Sequence, residues 1–304
     1  MDDKLLLVQF LHPGGEHRPD RGRIKQWNRT KHKHQRKFLK RAGSYVADGK
    51  VQKAEMPFWG EWEPESRVER KITAPIPQGP DYIYEPYYVV PKSYDGLQNT
   101  DPFVFGEQFH YTFCHQSKAK LRHLLPGSVI LFGSCKDHAF VLDTVFVVGD
   151  HWIDHTSVNR RRVLAHAISQ EYEEVTISPM YQEAAAESNA CSPAGSQQTW
   201  RLYFGASYDK PLGDMYSFFP CEHYNARSPG FARPSICLPD KTVDNLSQNL
   251  NQNVKYIKEP PTLDEMKSLW YEVAEQVQDQ GLALGVYAQM PERSTETPAF
   301  GHGA

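Results

Sequence analysis

The alternation of apolar and polar positions predicts a strand-rich chain with few helices. Leu5 to Leu11 is an almost unbroken apolar run, with the length and composition of a buried strand. Ser128–Phe132 and Ala139–Val148 are two further apolar runs separated by Gly133–His138, which predicts a hairpin with its turn at those polar residues. Asp143 interrupts the second run and is expected to be exposed or paired, because a lone buried carboxylate is costly. Trp200–Gly205 and Leu282–Tyr287 read as later strands. The clearest helix follows Pro260-Pro261. There Thr262 and Glu265 make a capping box, and Leu263, Met266, Leu269, Trp270, Val273, Ala274 and Val277 recur at helical spacing up to Gly281. The expected fold class is α+β: a strand-rich core with peripheral helices.

Residues 1–180 read as a β-rich core, 181–199 as a flexible low-complexity loop and 200–290 as a continuation on the same core, with 291–304 a disordered tail. No internal repeat, dinucleotide fingerprint or phosphate-binding loop is present. No apolar run approaches the ~20 residues that span a bilayer, and the first residues lack a secretory pattern. Five cysteines without paired spacing fit a reduced chain, so a cytoplasmic protein with no membrane partner is expected.

Charge changes this picture. The net charge is −3, yet residues 18–41 hold 11 Lys or Arg against the single acid Asp20. The rest of the chain is therefore strongly acidic, and the positive charge is concentrated as an anion site requires. A solvated basic face is the plain alternative. Residues 23–41 read either as an imperfect helix or as a basic loop. Lys31, Lys33, Arg36 and Lys37 are expected to meet phosphates, and Trp27 to stack on a base or to pin the segment to the core.

Candidate chemistry lies on either side of this segment. His12-Pro13-Gly14-Gly15-Glu16-His17 follows the first strand as a polar turn. Phe58-Trp59-Gly60-Glu61-Trp62 sets two tryptophans around a carboxylate, with Trp59 and Glu61 on one face if the segment is a strand. Gln98-Asn99-Thr100-Asp101 is either an Asx-turn or a reader of a base edge. The candidate catalytic residues are His12, Glu16, His17, Glu61 and Asp101. Trp27, Trp59, Trp62, Gln98, Asn99, Lys31, Lys33, Arg36 and Lys37 are the candidate ligand contacts. His151, Asp154 and His155 would share a face on a helix and could ligate a metal, though no complete metal set is visible, and the sequence leaves the cofactor open.

The Pro126-Gly127-Ser128 turn, the apolar strand, the polar turn with Gly133 and the acid-bearing second strand resemble the central hairpin of PUA-like barrels, which include the ASCH, EVE and YTH domains. The likeness covers about 25 residues. It implies a small β-barrel that recognises nucleic acid, in several members a modified base seated among aromatics, for which Trp27, Trp59 and Trp62 are the candidates here. The early strings HPGGEH and FWGEWEPES also look like uncharacterised bacterial proteins from defence or base-modification gene neighbourhoods. The expected function is recognition of nucleic acid or a nucleotide in such a system. The alternatives are a nucleotide-acting enzyme of glycohydrolase or ADP-ribosyltransferase type, and a non-catalytic module whose basic arm meets an acidic protein.

Overall fold

The computed structural model describes residues 3–31, 33–74, 76–117, 119–182, 198–225, 230–238, 254–257 and 259–295. It is an α+β fold built on two sheets. In the first, β1 (Leu7–Leu11) lies parallel to β8 (Val129–Lys136), with Leu7 opposite Val129 and Leu11 opposite Gly133. The antiparallel β9 (Ala139–His155) follows β8 directly, and β10 (Trp200–Gly205) pairs with β9. The expected hairpin is present, but its turn is tighter than the sequence pattern suggests. β8 runs on through Gly133 to Lys136, leaving only Asp137 and His138 at the corner, with φ of 48° and 66°.

The second sheet is centred on a long hairpin of β3 (Lys37–Ala47) and β4 (Lys50–Gly60). β6 (Tyr82–Tyr88) lies beside β3, and β5 (Ser66–Lys71) and β2 (Ile24–Lys25) extend the sheet outward. On the other side, β14 (Ala283–Ala288) pairs with β3 and with β11 (Phe219–Cys221), which reaches β4, so these four strands close on themselves. The hairpin that carries the PUA resemblance lies in the other sheet.

Adjacent residues feed different cores. Val8, Phe10, Ile130 and Phe132 pack with Leu39, Phe58, Trp62 and Tyr84. Leu7, Leu11, Val129 and Leu131 pack with Phe38, Trp59 and the helix α3 (Leu263–Asp279). Burial on both faces is the reason the strand runs are continuously apolar. The helix carries the predicted capping box: Thr262 Oγ1 accepts from the Glu265 amide and the Glu265 carboxylate accepts from the Thr262 amide. It buries Met266, Trp270, Val273, Ala274 and Val277, while Leu263 is exposed.

Three expectations need correction. The helical alternative for residues 23–41 is not formed: β2 and the start of β3 occupy that stretch, joined by irregular backbone. His151, Asp154 and His155 lie on β9, where strand alternation separates His155 from Asp154. His151 is exposed beside Asp150, whereas His155 is buried against Thr112 and Tyr181. Glu292 and Arg293, inside the stretch expected to be disordered, form β15 (Glu292–Arg293), which pairs with β6. Residues 296–304 and most of the expected 181–199 loop lie outside the described residues. Among the described residues no helix is long and apolar enough to cross a membrane.

Candidate functional site

The site forms where the β3–β4 hairpin opens. Its register pairs Lys37 with Gly60, so one step further Arg36 faces Glu61, and two residues beyond that His34 faces Glu63. Both contacts occur. Arg36 donates through Nη1 to Glu61 Oε2, and His34 Nδ1 lies 3.2 Å from Glu63 Oε1 and 3.5 Å from Glu61 Oε1. The two arms run on past the ends of β3 and β4, and their contacts bring all four side chains together. Glu61, Glu63 and Arg36 are buried, and only His34 keeps part of its surface in solvent, at 14% of the side chain.

Other segments converge on this pair of arms. His12 continues β1, its amide donating to the Gly133 carbonyl, and its Nδ1 accepts from Arg36 Nη2. That bond puts the proton of a neutral His12 imidazole on Nε2. Below Arg36 lies Asp143, 3.5 Å from Nε and 3.2 Å from Arg233 Nη1. Arg233 also donates to Ser134 Oγ at 2.6 Å and to the Gly14 carbonyl at 3.2 Å, with its guanidinium carbon 4.9 Å from the centre of the Trp59 ring. The intruding Asp143 is therefore buried and doubly paired, the only cheap way to keep a carboxylate inside.

On the opposite flank the Asp101 amide donates to Glu61 Oε1 at 2.9 Å, and Thr100 Oγ1 accepts from the Glu63 amide. The Asp101 carboxylate accepts from the amides of Thr112, Phe113 and Cys114, fixing the turn after β7 (His110–Tyr111). His17 is buried with Nε2 3.6 Å from Glu63 Oε2.

This packing shifts several protonation equilibria. Burial alone would depress the His34 imidazolium, but hydrogen bonding and charge from Glu61 and Glu63 outweigh it and hold its pKa well above the ordinary histidine value. Glu63 is likewise held well below the carboxylate range: burial opposes ionisation, and His17 and His34 overcome it. Burial and then the Arg36 charge push His12 far down. Burial raises Asp101 to about 7 against its three amide donors, and lowers Lys37 to about 7.

The structure brings His12, His17, Arg36, Glu61 and Asp101 of the sequence candidates together. The others are placed differently. Glu16 is a clamp that accepts from the Asp81 and Tyr82 amides, and burial raises its pKa to about 7. Lys37 is buried and donates to the Pro64 carbonyl, so it is not a phosphate contact on the surface; Arg36 is equally enclosed. Lys31 and Lys33 are exposed.

The tryptophans are core residues and not walls of an open cage. Trp27 donates to the Gln98 carbonyl, Trp62 is fully buried and donates to the Glu65 and Tyr87 carbonyls, and Trp59 packs against Phe38. Gln98 and Asn99 are buried as well. Sequence reasoning missed His34, Glu63 and Arg233. The first two had a signal: His-x-Arg and Glu-x-Glu repeat at strand period on two arms whose turn lies midway. Arg233 had none.

Chemically, the centre offers an imidazolium shared by two carboxylates, a second imidazole on an arginine, and a carboxyl that titrates near neutrality. Comparison with family models, with curated proteins and with solved structures gave no match for this chain.

Proposed function

We propose that this chain is an enzyme acting on a nucleotide or nucleic-acid substrate, gripped by its phosphates at the exposed cations of residues 18–33 and transformed at the His34–Glu61–Glu63 end of the buried centre. The observation that carries this reading is the run from Arg29 to Arg36. Arg29, Lys31 and Lys33 are exposed, His34 stands at the boundary, and Arg36 is enclosed among Glu61, His12 and Asp143. One short segment thus joins an anion-attracting rim to an ionised interior.

Energetics favour a catalytic role over a structural one. A buried ion network is weak as a stabiliser, because desolvation offsets most of the attraction, whereas ionisable groups pushed from their usual range gather where chemistry is done. Simple recognition of a base by stacking is the less favoured reading, since Trp27, Trp59 and Trp62 present almost no free face. Cys135, Cys221 and Cys237 form no disulfide among the described residues, which fits a cytoplasmic setting.

The test is binding of labelled single-stranded DNA, and of ATP and NAD, by fluorescence anisotropy at several salt concentrations. Reversing Arg29, Lys31 and Lys33 to Glu is expected to weaken binding about 10-fold or more and to flatten its salt dependence. Reversing the exposed Lys50 and Lys53 at the far end of the same hairpin is the control. Equal losses in both variants, or wild-type binding indifferent to salt, rule the reading out.

A further inference from the structure

We propose that His34, Glu61 and Glu63 form a binding site for one divalent first-row transition-metal ion. One ligand atom from each, an imidazole nitrogen and two carboxylate oxygens, lies within 4.8 Å of the others. The Nδ1 of His34 is 3.2 Å from Glu63 Oε1 and 3.5 Å from Glu61 Oε1. Metal–ligand bonds of about 2.0–2.2 Å at a tetrahedral angle set ligand atoms roughly 3.3–3.6 Å apart, so the two separations from His34 are those of a coordination shell, and the two carboxylates, within 4.8 Å of each other, close onto an ion by a side-chain adjustment.

The surroundings have the organisation of an outer shell. Glu61 is oriented by Arg36 on Oε2 and by the Asp101 amide on Oε1. Glu63 is held by its own amide on Thr100 Oγ1. A second, independent observation concerns the far side of Glu63. Its Oε2 and the Nε2 of His17 are both buried, neither makes a hydrogen bond, and they face each other at 3.6 Å. His17 is placed to tighten onto that oxygen when the carboxylate turns toward an ion, as partners of metal ligands commonly do.

One imidazole and two carboxylates suit Mn2+, Fe2+, Co2+ or Zn2+, and not the soft ions that thiolates select. Three protein ligands leave positions for water or a phosphate oxygen on the side where His34 meets solvent. The arrangement without an ion is a protonated His34 bridging the two carboxylates, and the experiment separates the two.

The full chain is stripped with chelator, dialysed, and titrated with MnCl2 followed by electron paramagnetic resonance, and with CoCl2 followed by visible absorption. No nucleotide is present, so the outcome does not depend on the substrate reading, and a phosphate rim that fails its own test leaves this one intact. The wild type is expected to bind one ion per chain at micromolar concentration. His34→Ala and Glu63→Gln should each weaken binding at least ~100-fold, and His17→Gln about 10-fold, the range of a lost outer partner. His151→Ala, at an exposed histidine beside Asp150, should bind as the wild type does. Circular dichroism checks each fold. If Glu63→Gln does not fold, His34→Ala carries the test, because that side chain is partly exposed. A wild type that takes up no Mn2+ or Co2+, or a His34→Ala variant with wild-type affinity, means a protonated-histidine bridge only and overturns the site.

Discussion

Arg36 and Glu61 meet because the β3–β4 register continues one pair past the last strand residues, Lys37 and Gly60. Neither side chain has an alternative in solvent, since both are buried. Removing one partner strands the other's charge, which costs about 3–5 kcal/mol, while replacing both by apolar side chains of similar volume is far cheaper. Arg36→Met and Glu61→Leu should each destabilise by that order in urea unfolding. The double variant should fall well short of their sum. Additivity within about 0.5 kcal/mol would show that the two are not coupled.

Trp59 and Trp62 give a second test, because burial predicts loss of stability and not a selective loss of binding. Truncating a core tryptophan to Ala costs about 3–5 kcal/mol, a large part of a typical stability of about 5–15 kcal/mol. Both Ala variants should melt well below the wild type in thermal denaturation, with any binding defect following the unfolded fraction. A Trp59→Ala chain that melts normally yet loses DNA would restore the stacking role the sequence suggested.

The titration of Lys37 makes a prediction about pH. Its pKa falls from 10.5 to about 7 because burial disfavours the ammonium. Between those values the unfolded chain holds a proton that the folded chain has released, so this residue makes stability rise with pH from about 7 to about 10.5. Lys37→Met should remove that rise. The difference in urea midpoint between variant and wild type, followed across the window, should favour the variant most at its low end and shrink as pH climbs. A constant difference would show that Lys37 keeps its ordinary pKa.

At the β8–β9 corner Asp137 and His138 both take positive φ, a conformation that strains side-chain-bearing residues by roughly 1–2 kcal/mol. His138→Gly relieves one of these and should stabilise by about 0.5–1 kcal/mol after the extra freedom glycine gives the unfolded chain. Asp137 is better left, since its carboxylate accepts from Gln78 at 2.8 Å. A lower melting temperature for His138→Gly would place the strain elsewhere.

What could be read from the sequence depended on whether an element has one environment per face. The α3 helix has a dry stripe and a wet one, and Thr262 and Glu265 mark its start, so its spacing was plain. The β8–β9 hairpin was legible from two apolar runs with a polar corner. β3 was not. Phe38 and Leu39 enter different cores, while Lys37 and Arg41 are buried by donating to backbone carbonyls, so cations occupy positions where apolar residues are expected. The same masking hid the site. His12, Glu61 and Asp101 stood out as polar residues at strand ends, but their meeting depends on a parallel β1–β8 pair and on a register that local sequence does not specify.

Arg233 and Asp143 lie 90 residues apart in the chain. During synthesis at about 5–20 residues per second, some 5–20 s separate the emergence of the carboxylate from that of the guanidinium that completes its pairing. Through that interval Asp143 has Arg36 as its ion-pair partner and lacks Arg233. The charge pairing around Asp143 is complete only when the late segment carrying Arg233 docks beneath Arg36.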